Sequence, residues 1–280
     1  MQFPEPAAVL KRLSSRVNSR VKGLLFLTAM KFGLVNGQRV VAKSGIRGAV
    51  CPKCHTELIA KCGEIRVHHW AHKNKLQCDD WIDDDNEWRT EWLNAFPEDW
   101  QEPVIEHDGQ SHFADIKTPS NTIILLHQSH LSAEMIRSRE DFYQTSVWIV
   151  NTGRYKNEVS RFLHGFEKFW IHGTRLSTGK ADFKIISEFN VDKVFRKEWL
   201  TAQLPVFFDY TTTNEDKENG YGYMLDYVWC LMPYSVQGYR ILFRYRKDEL
   251  IDKLKRRRGH NLQAMKEMEN RFKGRLFKNL

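Results

Sequence analysis

Four side chains between residues 51 and 72 have the types and spacing of a tetrahedral metal site. Cys51 and Cys54 are separated by two residues, and His69 and His72 follow as a second pair. The short cysteine spacing predicts a tight turn that directs both thiolates at one point, where two histidines can complete the coordination of Zn²⁺. We predict a structural zinc site, because the pattern leaves no evident coordination position open for a substrate.

Neighbouring residues are alternative ligands for this site. His68 can replace His69, because His68 and His72 also fit one face of a helix, and Cys62 and Cys78 supply further thiols. The five cysteines of the chain are odd in number and unevenly distributed, which favours metal binding in a reducing compartment over a disulfide framework. We expect a cytoplasmic protein, since the first residues do not show the charged and apolar regions of a secretory signal.

A second candidate site lies on residues 112–129, which predict two short strands joined by a tight turn. A turn centred on Ser120 places Asp115 opposite Leu125, with His127 on the same face of the sheet as Leu125. Metal-dependent phosphodiester hydrolysis requires anionic oxygens that hold Mg²⁺ or Mn²⁺, and the metal then generates the attacking hydroxide. Asp115 can supply such oxygens, whereas Leu125 stands where a second carboxylate is expected.

Predicted helices and strands around this hairpin would position its side chains. Trp88 and Trp92 have helical spacing and Pro97 ends that helix. Ser132 is the predicted N-cap of a second helix, and residues 147–151 read as a buried strand. Helix, strand pair, helix and strand in this order predict an α/β core. We divide the chain into a basic helix and strands at 1–50, a zinc-finger-like module at 51–80, the α/β core at 81–155, and a region with basic helices at 156–280.

Positive charge is concentrated at the two ends of the chain, whose net charge is +8. Residues 1–50 carry nine Lys and Arg against one acid, and residues 240–280 carry fourteen against five. Basic ends are expected of a chain that binds phosphates, although charge runs more commonly form solvated faces. The predicted nucleic-acid contacts are Lys253, Lys255, Arg256, Arg257 and Arg258.

The C-terminal helix also has an apolar stripe, which is typical of a core face or of a surface for a protein partner or homo-oligomer. Its members are Leu262, Met265, Met268, Phe272 and Leu276. No apolar run approaches the length that spans a bilayer, so we predict no membrane partner.

Together, these motifs resemble the competence protein CoiA-like nucleases of the PD-(D/E)XK superfamily, over roughly residues 50–155 and more weakly to about 245. The matching elements are the pairs Cys51–Cys54 and His69–His72, Glu87 with Trp88 and Trp92, residues 114–119, Ser129 with residues 137–143, and residues 147–150. The resemblance implies a restriction-endonuclease-like α/β core with an N-terminal zinc-binding module and a basic helical C-terminus. It also implies DNA, single- or double-stranded, as the partner.

The chain departs from the family at the active site. The family's second strand reads Glu-x-Gln-His-Ser, whereas residues 125–129 read Leu-Leu-His-Gln-Ser, and Arg89 stands where the family often has histidine. The resemblance therefore implies DNA processing, in competence or anti-phage defence, more strongly than it implies cleavage.

Two functions follow from these observations. In a metal-dependent endonuclease, Asp115 would bind Mg²⁺ or Mn²⁺, Glu87 would assist, and His127 or Gln128 would position water or phosphate. In a catalytically degenerate nuclease fold, natural or produced by engineered replacement at Leu125, the same elements would bind nucleic acid or a protein. A purely structural Asp115 with solvated basic helices is the remaining alternative.

Overall fold

A computed structural model describes most of the chain between residues 29 and 273. The described ranges are 29–64, 67–74, 78–79, 81, 86–153, 156–171, 183–210, 222–256 and 261–273. Residues 1–28, which include the predicted basic helix, lie outside these ranges, as do Arg257 and Arg258.

Four short strands build an N-terminal module, defined as the described residues 29–74 with Cys78 and Asp79. They are β1 (Phe32–Val35), β2 (Gln38–Val41), β3 (Leu58–Lys61) and β4 (His69–His72), which pair antiparallel as β1 with β2 and β3 with β4. Val50 bridges Leu34 on one side and Glu57 on the other, and Trp70 is buried in the module's core. The predicted boundary at residue 50 therefore falls inside one packed unit and does not separate two.

A mixed eight-stranded sheet forms the rest of the scaffold, in the order β10-β11-β14-β13-β12-β9-β8-β7. Its strands are β7 (Ile116–Lys117), β8 (Ile123–His127), β9 (Ser146–Asn151), β10 (Trp170–Ile171), β11 (Phe183–Ser187), β12 (Val206–Asp209), β13 (Tyr227–Val236) and β14 (Tyr239–Arg246), and a separate hairpin of β5 (Val104–His107) and β6 (Gln110–Phe113) precedes them. Strands β8, β9 and β12 are parallel neighbours. The sheet thus continues past residue 155, where the sequence predicted the core to end.

Seven α-helices accompany the sheet in the described part of the chain. They are α1 (Glu87–Asn94), α2 (Ala133–Tyr143), α3 (Lys156–Phe169), α4 (Val191–Val194), α5 (Gly222–Leu225), α6 (Lys247–Arg256) and α7 (Leu262–Lys273). Side chains alternate across each strand, so α2 and α3 pack with Leu125 and Trp148 on one face. Helices α1, α6 and α7 pack with Leu126 and Ile149 on the other. None of the described helices is long and apolar enough to cross a membrane.

The described part of the predicted C-terminal stripe belongs to the core. Met265 is buried and Met268 packs beside it on the face of the sheet that α1 covers, and α7 contacts β13. Met265 and Met268 therefore make intramolecular contacts with the core.

The predicted hairpin is confirmed in its register. Ile116 pairs with Ile124 and Lys117 with Ile123, so the turn is centred on Ser120 as expected. The predicted N-cap of α2 is also confirmed, since the Ser132 hydroxyl accepts a hydrogen bond of 3.3 Å from the Met135 N–H.

Candidate functional site

Three cysteines and one histidine converge in the N-terminal module. The ligand atoms of Cys51, Cys54, His72 and Cys78 all lie within 4.8 Å of one another. The Cys54 sulfur is 3.2 Å from His72 Nε2, and the sulfurs of Cys51 and Cys78 are 3.8 Å apart. Hydrogen bonding between the two thiols lowers the pKa of Cys51 and raises the pKa of Cys78, so Cys51 is the first of the pair to form the thiolate that binds metals. Thiolates and imidazole are the ligands that Zn²⁺ prefers, so this cluster could bind zinc.

This geometry corrects two details of the predicted ligand set. Residues 69–72 form strand β4, in which residues three apart point to opposite faces, so His69 and His72 do not share a site. His69 Nδ1 instead lies 2.8 Å from the Val67 carbonyl oxygen. His68 is exposed, and its predicted helical relation to His72 does not apply to a strand. Cys78 completes the cluster, while Cys62 packs against the module's core.

The ligand set makes a direct prediction for metal content. We expect purified protein to hold one Zn²⁺ per chain, to lose it in Cys78→Ser, and to retain it in the matched variant His69→Ala. Elemental analysis by mass spectrometry after dialysis against a weak chelator measures this. Zinc kept by Cys78→Ser and lost by His69→Ala would contradict the cluster described here.

Asp115, the predicted magnesium ligand, is engaged by an arginine. Its Oδ1 accepts hydrogen bonds of 2.8 Å from Nε and from Nη2 of Arg89, and its Oδ2 accepts one of 2.8 Å from the Leu126 N–H. The side chains of Arg89 and Asp115 are only 2% and 13% exposed. Helix α1 positions Arg89, because the Asn86 side chain caps that helix by accepting from the Arg89 N–H. The charge on Asp115 is thus compensated within the protein.

Glu102 is the second carboxylate on the same guanidinium. Arg89 Nη1 donates to Glu102 Oε1 at 3.0 Å, and Glu102 Oε2 accepts from the backbone N–H groups of Lys31 at 2.7 Å and Phe32 at 3.4 Å. Arg89 therefore connects the hairpin of Asp115 to the N-terminal module through a buried ion-pair network. Sequence reasoning missed Glu102, since its spacing matches no known motif.

The carboxyl ends of the three parallel strands carry a row of polar side chains, which we call the carboxyl edge. It consists of Gln128, Asn151 and Asp209. Asn151 pairs with Asp209, and His127, which precedes Gln128, pairs with Val150, which precedes Asn151. Asp209 is fully buried, and its Oδ2 accepts from the indole N–H of Trp88 at 2.9 Å and of Trp92 at 2.8 Å. These bonds fix α1 across the edge.

The remaining predicted site residues on the sheet do not converge on Asp115. Leu125 is buried in the core, and His127 is buried with its Nε2 3.2 Å from the Ser129 hydroxyl. Gln128 is buried and accepts a hydrogen bond from the Asn86 side chain, whereas Glu87 is exposed. Within the described residues, the one group of three or more His, Cys, Asp or Glu side chains that could hold a metal ion is the cluster in the N-terminal module.

The predicted basic contacts on α6 lie beside the carboxyl edge. Val228 pairs with Asp209 on one side and with Tyr245 on the other, so Tyr245 lies in the same cross-strand row as Asp209. The Lys253 ammonium is 4.3 Å from the centre of the Tyr245 ring. Lys255 lies 5.7 Å from the ring of Phe96. Arg256 is exposed and forms an ion pair of 3.4 Å with Asp252. The structure thus describes three of the five predicted cations, of which Lys255 lies near the C-terminal end of α1.

Asp79 joins the metal cluster to the core. It directly follows Cys78, and its buried carboxylate lies 3.1 Å from both Lys53 Nζ and His112 Nδ1 and accepts from the Phe113 N–H at 2.8 Å. His112 and Phe113 belong to β6, which ends two residues before Asp115. Asp79 and β6 therefore link the metal cluster to the Asp115 hairpin.

Glu140 is a buried carboxylate on the opposite face of the sheet. Its oxygens accept hydrogen bonds from the Trp148 indole at 3.0 Å and from the N–H groups of Gln203 at 2.9 Å and Leu204 at 3.2 Å. Burial nevertheless raises the pKa of Glu140 from 4.5 to about 7, because the charged form is poorly solvated there.

This shift predicts a pH dependence of stability. The folded chain holds the Glu140 proton more tightly than the unfolded chain, so the contribution is complete below pH 4.5 and is lost as pH rises through about 7. One pKa unit corresponds to about 1.4 kcal/mol, so we expect the unaltered chain to lose about 3 kcal/mol relative to Glu140→Gln over this range. Urea unfolding of both proteins at several pH values measures the difference. A difference that does not change with pH would contradict the assignment.

These features describe a mixed α/β protein with a cluster suited to zinc. A family model, Competence protein CoiA, N-terminal domain, matches residues 46–80, a segment that contains all four members of the cluster. The match supports a relation to the CoiA family in this segment and suggests a competence-related function. No curated protein and no solved structure matches the chain.

Proposed function

We propose that this chain is a competence-related, DNA-binding protein with a nuclease-like core of the PD-(D/E)XK type, and that it does not hydrolyse DNA at Asp115. The observation that carries the proposal is the engagement of both Asp115 oxygens, by Arg89 and by the Leu126 N–H. The cysteine and histidine cluster has a structural role, holding Zn²⁺ and stabilising the N-terminal module.

A catalytic Mg²⁺ or Mn²⁺ finds few ligands in this arrangement. Mg²⁺ needs six oxygen ligands in near-octahedral geometry and is usually anchored by one or two carboxylates. The guanidinium of Arg89 already lies against Asp115, and a divalent cation there would be repelled by it. Leu125 offers no oxygen. The geometry therefore favours the degenerate nuclease fold over the metal-dependent endonuclease.

DNA binding rests on the cations of α6. Ligands of open α/β sheets bind outside the carboxyl ends of parallel strands, and α6 begins at this end, where Lys247 Nζ lies 3.8 Å from Asp209 Oδ2. Its last turn carries Lys253, Lys255 and Arg256. Acidic residues in the first turn and cations in the last turn also stabilise a helix through its dipole. Because this gives the cations of α6 a structural role as well, their role in DNA binding needs its own test.

Salt-dependent binding provides that test. We expect unaltered protein to bind a 30-base-pair duplex with an affinity that falls steeply as the salt concentration rises. The slope of log K against log salt should be about −0.9 for each phosphate that the protein contacts. The triple variant Lys253→Ala, Lys255→Ala, Arg256→Ala should have a slope smaller by up to about 3. The control is the double variant Lys193→Ala, Lys197→Ala, which removes exposed lysines elsewhere. An unchanged slope in the triple variant would exclude α6 from the DNA interface, and no salt-dependent binding by the unaltered chain would refute DNA binding.

A further inference from the structure

The segment that connects β2 to Cys51 is a loop with unusual composition. Residues 6–56 contain no Asp or Glu, although the chain has 35 acids among 280 residues. Within that segment, residues 43–48 read Lys-Ser-Gly-Ile-Arg-Gly. No carboxylate of its own segment therefore offsets the positive charge of this loop.

The loop is anchored at three points along its length. Ala42 and Ala49 are buried at its two ends, and Ile46 packs against the core of the N-terminal module. The Ile46 N–H donates to the Lys43 carbonyl at 3.3 Å, which closes a turn. Gly45 and Gly48 have φ values of 87° and 72°, in the left-handed region that glycine adopts at low cost. The loop thus holds a defined conformation that can bind without a large ordering cost.

The side chains that this loop exposes are all donors. Lys43, Ser44 and Arg47 are exposed, together with Gly45 and Gly48, and no atom lies within 4 Å of a Cβ built on either glycine. Within the described residues, no hydrogen bond or ion pair occupies the side chain of Lys43 or Arg47. A surface of cations, a hydroxyl and accessible glycine backbone is suited to phosphate oxygens.

Four other cations of the N-terminal module differ in having protein partners. Lys31 bonds to Asn94 and Gln101, Arg39 to the carbonyls of Glu98 and Gln101, Lys53 pairs with Asp79, and Lys73 pairs with Glu57. Lys43 and Arg47 are therefore set apart from the cations that hold the module together.

We propose that the loop at residues 43–48 is a second phosphate-binding surface, which contacts the backbone of the DNA bound by the proposed function. It recognises phosphate and not base sequence, because its donors lie on a short loop and not on an element that enters a groove. The inference rests on the proposed DNA binding, and it adds a contact in the N-terminal module that α6 does not supply.

The test compares Lys43→Ala, Arg47→Ala with the control Lys193→Ala, Lys197→Ala, each as the full chain loaded with zinc. We expect the slope of log K against log salt for a 30-base-pair duplex to fall by about 1.8 in the loop variant, and to stay unchanged in the control. For a single-stranded 30-mer, the same slope should fall by about 1.4, because each phosphate contact contributes less to the slope on a single strand. Zinc content equal to that of the unaltered chain shows that the module is folded.

The possible failures are distinguishable. Unaltered protein that binds DNA with salt dependence, and a loop variant with the same slope, would overturn this inference and leave the proposed function intact. No binding by the unaltered chain would overturn both. A loop variant that keeps its DNA slope but loses binding to vesicles of phosphatidylserine would assign the loop to a membrane surface and overturn the proposal.

Discussion

Replacing Arg89 with methionine is expected to lower the free energy of unfolding by about 3–5 kcal/mol, the usual cost of leaving a buried charge without its partner. Arg89 compensates two carboxylates, Asp115 and Glu102, and its own side chain is 2% exposed. Methionine retains much of the side-chain length and removes all of the donors. Chemical denaturation of Arg89→Met and of the unaltered protein measures the loss.

Arg137→Met is the matched control for this variant. Arg137 is exposed on α2, so the same substitution there should change the free energy of unfolding by less than about 0.5 kcal/mol. Adding Asp115→Asn to Arg89→Met should recover part of the loss, because one of the two uncompensated charges is then removed. Equal stability of Arg89→Met and unaltered protein would show that the ion-pair network does not form.

Leu125→Glu is the second variant with a large expected effect, and we expect it to destabilise the protein by more than about 4 kcal/mol. Leu125 is 4% exposed, and its cross-strand neighbour on β9 is Trp148. A carboxylate at this position would enter the apolar core that α2 and α3 cover. The variant should gain no nuclease activity, because Arg89 still engages Asp115.

Leu125→Met serves as the control for the backbone and the volume, with an expected cost below about 1.5 kcal/mol. Circular dichroism and thermal unfolding compare the three proteins. If Leu125→Glu folded with unaltered stability and cleaved DNA in Mn²⁺, position 125 would be open to a metal ion and the interpretation of the hairpin would be wrong.

Local patterns predicted the local structure of the site well. The tight turn centred on Ser120 predicted the hairpin and its register, which the pairing of Ile116 with Ile124 confirms. The partner of Asp115 was not predictable in the same way. Arg89 reaches Asp115 only because α1 packs across the sheet, and a helix of this length has no sequence signal for where it packs.

The metal cluster shows the same limit. The CxxC spacing predicted Cys51 and Cys54, and His72 was among the candidates. The fourth ligand, His69, was predicted as the partner of His72 in a histidine pair. Residues 69–72 form a strand, in which residues three apart point to opposite faces, so His69 is not a ligand. Cys62 and Cys78 were both candidate thiols, and no spacing rule distinguishes Cys78, which joins the cluster, from Cys62.

The extent of the sheet depended on contacts between distant residues. Strand β12 pairs with β9 in parallel, and parallel neighbours need a long connection that sequence periodicity does not reveal. Asp209 was missed for this reason. Its contacts with Trp88 and Trp92 join residues more than a hundred positions apart, although both tryptophans had been assigned to the correct helix.

The most direct measurement for the central proposal is an assay of supercoiled plasmid with the unaltered, zinc-loaded chain in Mg²⁺ and in Mn²⁺, beside the Asp115→Ala variant. We predict that the unaltered chain retards the plasmid at low salt and leaves it supercoiled, and that Asp115→Ala gives no difference in nicking. Metal-dependent nicking by the unaltered chain that is abolished in Asp115→Ala would contradict the proposal and establish Asp115 as a catalytic residue.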